Sequence, residues 1–451
     1  MVTPNTSVDF SALPVRQLVQ LVQNGEINAV TIAQHYAKQI QQYESQYHTF
    51  AYYNESQLIN QAMQFDNEYS KLTNEQRRLY TLAGIPVGVK DIINTHDMPT
   101  TYGSKIYDMN QPNQDAVVIQ MVKHCGGLIA GKTHTTEFAF YDPSVTLNPR
   151  DIKRTPGGSS SGSSASVAAN MLPVAFGTQT VGSIVRPASF TGIAGYKPTY
   201  NTLCTQGVNA LSWSLDTVGS LGRTVDDAVY LVGALTNRTN ELIGKWTHKH
   251  QPNIALCKTH EWNTGHTDQL DYIWQELESA LKYSNTPVQH IDLPIEFSQL
   301  STSLNTILSY EAALFHTLHY KLHKARMSSK LLELIETGQT ISVDQVNQAK
   351  LHIRHCNILL EQLKHSNKFD VLIVPSAQGI APLLVDGNTG NPIFNRCWTA
   401  LGVPLVGVAG LVSEHEKLPI GVTVVGTLYS DSVTVQAAGY IEQVIAKYMS
   451  K

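Results

Sequence analysis

The chain has 451 residues, 42% of them apolar and 15% charged, so it carries material for a large buried core and little of the bias that keeps a chain disordered. Its formal charge of −4 offers no basic footprint for nucleic acid or for an anionic membrane. Five cysteines (Cys125, Cys204, Cys257, Cys356 and Cys397), odd in number and without CxxC spacing, argue against a disulfide framework or a zinc finger and point to a reducing cytoplasm.

The opening residues have neither a basic nor an apolar leader segment, and no signal peptide is expected there. Ser11 is placed to cap a first helix carrying Leu13, Leu18, Leu21 and Val22, which Asn24-Gly25 ends. Ile32, Tyr36, Ile40 and Tyr43 put a second apolar stripe at helical spacing. From about Leu82 the pattern changes to short apolar runs alternating with helices. Ile85–Val89 reads as a strand, Val117–Val122 as a helix stopped by Gly126-Gly127, and Leu128–Ala130 as a strand closed by Gly131. Ser163–Ala169 is a small-residue helix and Val174–Phe176 a strand. Residues from about 240 to 365 turn helical and polar, and strand character returns at Val371–Val374, Val403–Val408 and Ile420–Val425. The apolar run Val403–Val412 is too short for a membrane span and contains Pro404. This order predicts an α/β protein whose sheet is interrupted by a helical insertion.

The chemistry concentrates in residues 156–198, where two Gly/Ser loops flank a small-residue helix and a strand. Glycines let the backbone approach a ligand closely, and serines supply nucleophile or relay hydroxyls. In the second loop, Thr178–Ser183, successive backbone N–H groups could converge on a developing oxyanion. A serine needs a base, and Lys90 ends an apolar strand where burial would lower its pKa.

The runs GGSSSGSSASVAA (157–169), GTQTVGSIVRPA (177–188) and GYKPT (195–199) resemble the signature of the amidase signature family. GIPVGVKD (84–91), GKTHTTEFAF (131–140), TLNPRD (146–151), SLDTVGSLGRTVDDA (214–228), and the C-terminal blocks starting at Gly390 and Leu418 extend the resemblance over most of residues 10–445. It implies a single domain over 1–451, an α/β/α sandwich around a large mixed β-sheet. Within it fall an N-terminal helical region (1–75), a signature core (76–235), a mainly helical insertion (236–365) and a C-terminal return to the sheet (366–451). It also implies a Ser–cis-Ser–Lys triad: Ser183 as nucleophile, Ser159 after a cis peptide bond as relay, and Lys90 as base. Thr180, Val181, Gly182 and Ser183 would form the oxyanion hole, and His134, Gln179, Tyr141 and Trp213 are candidate substrate contacts. The implied reaction is cleavage of a carboxamide to a carboxylate plus ammonia or amine through an acyl-enzyme, with no metal or organic cofactor. The implied partner is a small-molecule amide, with no direct nucleic acid and no membrane; a homodimer stays open.

The loop departs from the common GTDTGGSIR form: Gln179 replaces the acid, Val181 the first glycine of the pair, and Arg186 follows Ser183 by three residues instead of two. Two other activities stay open: the glutaminase component of a tRNA-dependent amidotransferase, and a catalytically silent binding protein on the same fold. Gly158–Gly162 also matches the G-x-S-x-G elbow, which would make Ser160 the nucleophile. His316, His319 and His323 share a helical face, with metal-ligand spacing between the last two, although a solvated or half-buried face accounts for them better.

Overall fold

The computed structural model describes residues 9–243 and 251–451. Eleven strands form one sheet: β1 (Phe50–Tyr53), β2 (Pro86–Lys90), β3 (Leu128–Thr133), β4 (Val174–Gln179), β5 (Ala194–Lys197), β6 (Thr217–Gly222), β7 (Ile254–Leu256), β8 (Val288–His290), β9 (Val371–Pro375), β10 (Leu405–Val408) and β11 (Val422–Val425). Their spatial order is β1-β3-β2-β4-β6-β5-β10-β11-β9-β7-β8. The sheet is mixed. β2 lies parallel to both β3 and β4, and β7 parallel to both β8 and β9, whereas the run from β4 through β6, β5, β10 and β11 to β9 is antiparallel.

Alternation along the strands explains the layering. Val174 and Phe176 join one core while Ala175 faces another; Val371 and Ile373 alternate with Leu372 and Val374 in the same way. Side chains of period two on a doubly covered sheet produce this pattern. One face is covered by helices Val225–Leu235, Asp268–Tyr283 and Asp431–Met449. The opposite face takes Ala29–Tyr47 and Ser161–Ala168 near one end, and Leu300–Phe315 and Val343–Asn367 near the other. No described helix is long and apolar enough to cross a membrane.

Several sequence expectations shift. The first helix runs Val15–Gln23 behind Pro14, and the side-chain cap upstream comes from Asp9, which accepts from Ser11 N. Gly131 lies inside β3 and does not end it. The N-terminal region is helical but contributes β1, and the helical segment from 236 to 365 contributes β7 and β8 at the sheet's edge. Helices Leu300–Phe315 and Ser329–Gln339 cross so closely that a Cβ on Gly338 would collide with Ser309 O. That crossing fixes the wall facing the signature loops.

Candidate active site

β2 carries Val87 and Val89 into the core with no solvent exposure and then delivers Lys90, also fully buried. Each buried valine contributes about 1.5–3 kcal/mol, which offsets the cost of burying an amine. Lys90 Nζ donates to Ser159 Oγ at 2.7 Å, to Thr178 Oγ1 at 2.9 Å and to Thr178 O at 3.4 Å. Burial pulls the Lys90 pKa down to about 7, partly opposed by the Asp216 carboxylate. A depressed pKa alone does not single out Lys90. Lys197 is brought to about 7 by burial as well, but its Nζ donates to Pro198 O. Among these buried lysines, the serine at Nζ distinguishes Lys90.

Ser159 follows a cis Gly158–Ser159 peptide. The carbonyl of Gly158 accepts from Arg186 Nη2 at 2.7 Å, and the same guanidinium donates to the carbonyls of Thr389 and Gly390. Ser160, the elbow alternative, is fully buried. Its Oγ accepts from Thr178 N at 3.3 Å and donates to Thr178 O at 3.4 Å, so it faces the strand and not the cavity.

β4 ends at Gln179, and the loop 180–183 leads into the helix Val185–Thr191. Gln179 Oε1 accepts from Ile184 N at 2.9 Å and Val185 N at 3.2 Å, while its Nε2 donates to Thr399 Oγ1 at 3.0 Å. Fully buried, Gln179 caps that helix and does not line the cavity, contrary to the expectation that it contacts substrate. Thr399 Oγ1 in turn donates to Val181 O at 2.6 Å. Val181 does not have positive φ, so a β-branched residue stands at this glycine position without strain. Among the described residues, no acceptor is found for the backbone N–H groups of Val181, Gly182 and Ser183. Gly182 is required by contact: a Cβ there would meet Asn395 Oδ1, with Asn395 Cγ at 2.9 Å.

Asp216, directly before β6, was not singled out by the sequence. Its Oδ1 accepts from Thr180 Oγ1 at 2.5 Å, and its Oδ2 from Leu211 N at 2.9 Å and Ser212 N at 3.1 Å. Burial pushes its pKa up to about 6, against the pull of these donors and of Lys90. An acid inside a block of small and apolar residues was the available signal.

Ser159, Thr180, Val181 and Ser183 open onto one cavity of about 300 Å³. Of the candidate substrate contacts, Tyr141 lines it; His134 and Trp213 do not. His134 is half-buried behind β3, and the Trp213 side chain is 44% exposed. The far wall comes from helices Leu300–Phe315 and Ser329–Gln339 through Asn305, Leu308, Leu334 and Thr337. Arg396 also reaches the cavity, a residue not singled out in the sequence. The histidines at 316 and 319 are spent on each other: Nδ1 to Nδ1 is 2.9 Å, and His319 Nε2 lies 2.6 Å from the Tyr107 hydroxyl. Burial drives His316 down to about 3.

Comparison with known proteins places this geometry. The chain is 40% identical over 227 residues to the A component of the glutamyl-tRNA(Gln) amidotransferase from Microcystis aeruginosa, a match covering 49% of this chain and 46% of that protein. The match therefore spans about half the length of this curated relative. A peptide amidase from Stenotrophomonas maltophilia superposes with a TM-score of 0.79 at 23% identity, covering 96% of this chain and 97% of that one. A fatty acid amide hydrolase does so with a TM-score of 0.85 at 16% identity, covering 98% and 86%. The Amidase family model matches residues 31–435, and this chain belongs to the amidase signature family.

Proposed function

We propose that this protein hydrolyses a carboxamide with Ser183 as nucleophile, Ser159 as proton relay and Lys90 as base. The observation that carries the reading is a fully buried Lys90 with a pKa near 7, 2.7 Å from Ser159 Oγ, beside the cavity that Ser159 shares with Ser183. At neutral pH a large fraction of such an amine is unprotonated, which is what a general base requires. Neutral Lys90 accepts the Ser159 proton as Ser159 accepts that of Ser183. Ser183 Oγ then adds to the amide carbon. The oxyanion takes the free N–H groups of Val181, Gly182 and Ser183, with Thr180 held in place by Asp216. The proton returns through Ser159 to the leaving nitrogen, the C–N bond breaks, and water cleaves the acyl-enzyme by the same relay. Five free thiols support a reducing cytoplasm as the working compartment.

A fluorophosphonate probe with mass-spectrometric mapping tests this reading. Ser183 should be labelled, the label should vanish in Ser183→Ala, and Lys90→Ala should slow labelling by about 100-fold or more. The labelling rate should rise with pH through about 7, as Lys90 loses its proton, and should lose that step in Lys90→Ala. Label on Ser160 would overturn the triad.

The 40% identity to the amidotransferase component favours a second reading, ammonia release from glutamine for a partner. Glutamine hydrolysis that appears only with added partner proteins would establish it. Glutamine-independent turnover of simple amides by the isolated chain would exclude it.

A further inference from the structure

The cavity is asymmetric in charge. Two guanidinium groups, Arg186 and Arg396, line it, and among the described residues no carboxylate does. Arg186 is buried and committed to the carbonyls of Gly158, Thr389 and Gly390. Arg396 is half-buried and, among the described residues, makes no hydrogen bond and no ion pair. The carboxylate whose charge reaches it, Glu261, stays outside ion-pair distance and accepts from Ser301 Oγ at 3.1 Å. A guanidinium taken partly out of water without an anion is costly unless a ligand completes it.

Its position relative to Ser183 is set by packing. Asn395, the preceding residue, presses on Gly182 so closely that no Cβ fits between them, and Asn395 Nδ2 donates to Ser376 O at 3.2 Å. Arg396 therefore enters the cavity one residue from the contact that fixes the loop bearing Ser183. Much of the cavity lining is apolar, through Val181, Leu211, Leu308, Leu334 and Pro392. A volume of about 300 Å³ is at the small end for ligand sites. The space suits a short carbon chain with the scissile amide at one end and an anion at the other.

We propose that Arg396 is a specificity residue and that the substrate is an amide bearing a carboxylate on a short apolar spacer. The proposal rests on the hydrolase reading above for the amide, and on Arg396 alone for the carboxylate. A planar guanidinium takes a carboxylate through two parallel hydrogen bonds, and the neutral analogue leaves it unpaired.

The test is a matched series: malonamate, succinamate and glutaramate against the neutral amides of the same chain length, with wild type, Arg396→Gln and Arg396→Lys. Wild type should favour the anionic members in kcat/KM by about ten-fold or more, the range of a charge-assisted contact. Arg396→Gln should bring that ratio close to one, and Arg396→Lys should fall between. A wild-type preference for the neutral amides, or a ratio unchanged in Arg396→Gln, overturns the proposal. Calorimetric titration with succinate and glutarate reads the same contact without turnover. Binding that is present in wild type and lost in Arg396→Gln supports the anion subsite even if Ser183 resists the fluorophosphonate and the hydrolase reading fails. No binding to wild type overturns the subsite even if Ser183 labels.

Discussion

Gly182→Ala is the sharpest test of how the loop bearing Ser183 is held. The added methyl would overlap Asn395 Oδ1 and would sit 2.9 Å from Asn395 Cγ and 3.0 Å from its Cβ. Asn395 is buried, and its Nδ2 donates to Ser376 O at 3.2 Å, so turning it away breaks a buried hydrogen bond. Overpacking costs about 1–3 kcal/mol and the lost bond about 1 kcal/mol, so the variant should be about 2–4 kcal/mol less stable by urea denaturation. The alternative is that the loop itself moves. A displacement near 1 Å would then slow fluorophosphonate labelling of Ser183 by about 100-fold, measured well below the unfolding transition. Asn395→Gly removes every offending atom, and the double variant should recover most of the lost rate, because contacting residues couple. A Gly182→Ala protein with wild-type stability and labelling, or a double variant no better than the single one, would refute the packing argument.

Two further outcomes are expected. Lys197 is fully buried with a pKa lowered to about 7, so the unfolded chain binds more protons than the native one between pH 7 and the ordinary lysine value of 10.5. Its burial cost is complete below pH 7 and fades as pH rises through that window. Lys197→Met should therefore stabilise by at least about 1 kcal/mol at pH 7 and by progressively less toward pH 10 in urea titrations; a pH-independent gain would contradict this. Gln179→Ala leaves Ile184 N and Val185 N without an acceptor, removes the donor to Thr399 Oγ1, and should cost about 2–4 kcal/mol by the same assay. A loss below about 0.5 kcal/mol would show that the cap contributes little.

Strands such as β2, β4 and β9 were legible because fully buried apolar runs announce themselves. β8, three residues with Gln289 at its centre on an exposed edge, carries no such signal, and β6 (TVGSLG) is too rich in small residues to read as a strand. Lys90, Ser159 and Ser183 stand out in the sequence because motif and chemistry agree, and the structure puts Lys90 Nζ 2.7 Å from Ser159 Oγ and opens Ser159 and Ser183 onto one cavity. Asp216 and Arg396 lay inside recognised blocks, but their placement depends on pairing that local sequence does not encode. Asp216 reaches Thr180 because β6 runs antiparallel to β4 and starts where β4 ends. Gln179 looked like a pocket residue because it sits in the reactive loop's motif, whereas its amide turns inward to close a helix end. Trp213 is suggested by residue type alone, and it lies exposed to solvent and off the cavity.

The two walls of the cavity have different origins in the chain. Ser159 and Ser183 sit on loops that lead into the helices Ser161–Ala168 and Val185–Thr191, whereas Asn305, Leu308, Leu334 and Thr337 belong to two helices locked together at Gly338. The helical wall and the Gly/Ser loops are thus encoded in separate stretches of sequence, with Arg396 entering from a third. Combinatorial libraries confined to the cavity-facing positions of residues 300–339 would therefore reshape one wall while the Gly/Ser loops are inherited intact, a modularity that lets one scaffold diversify cheaply.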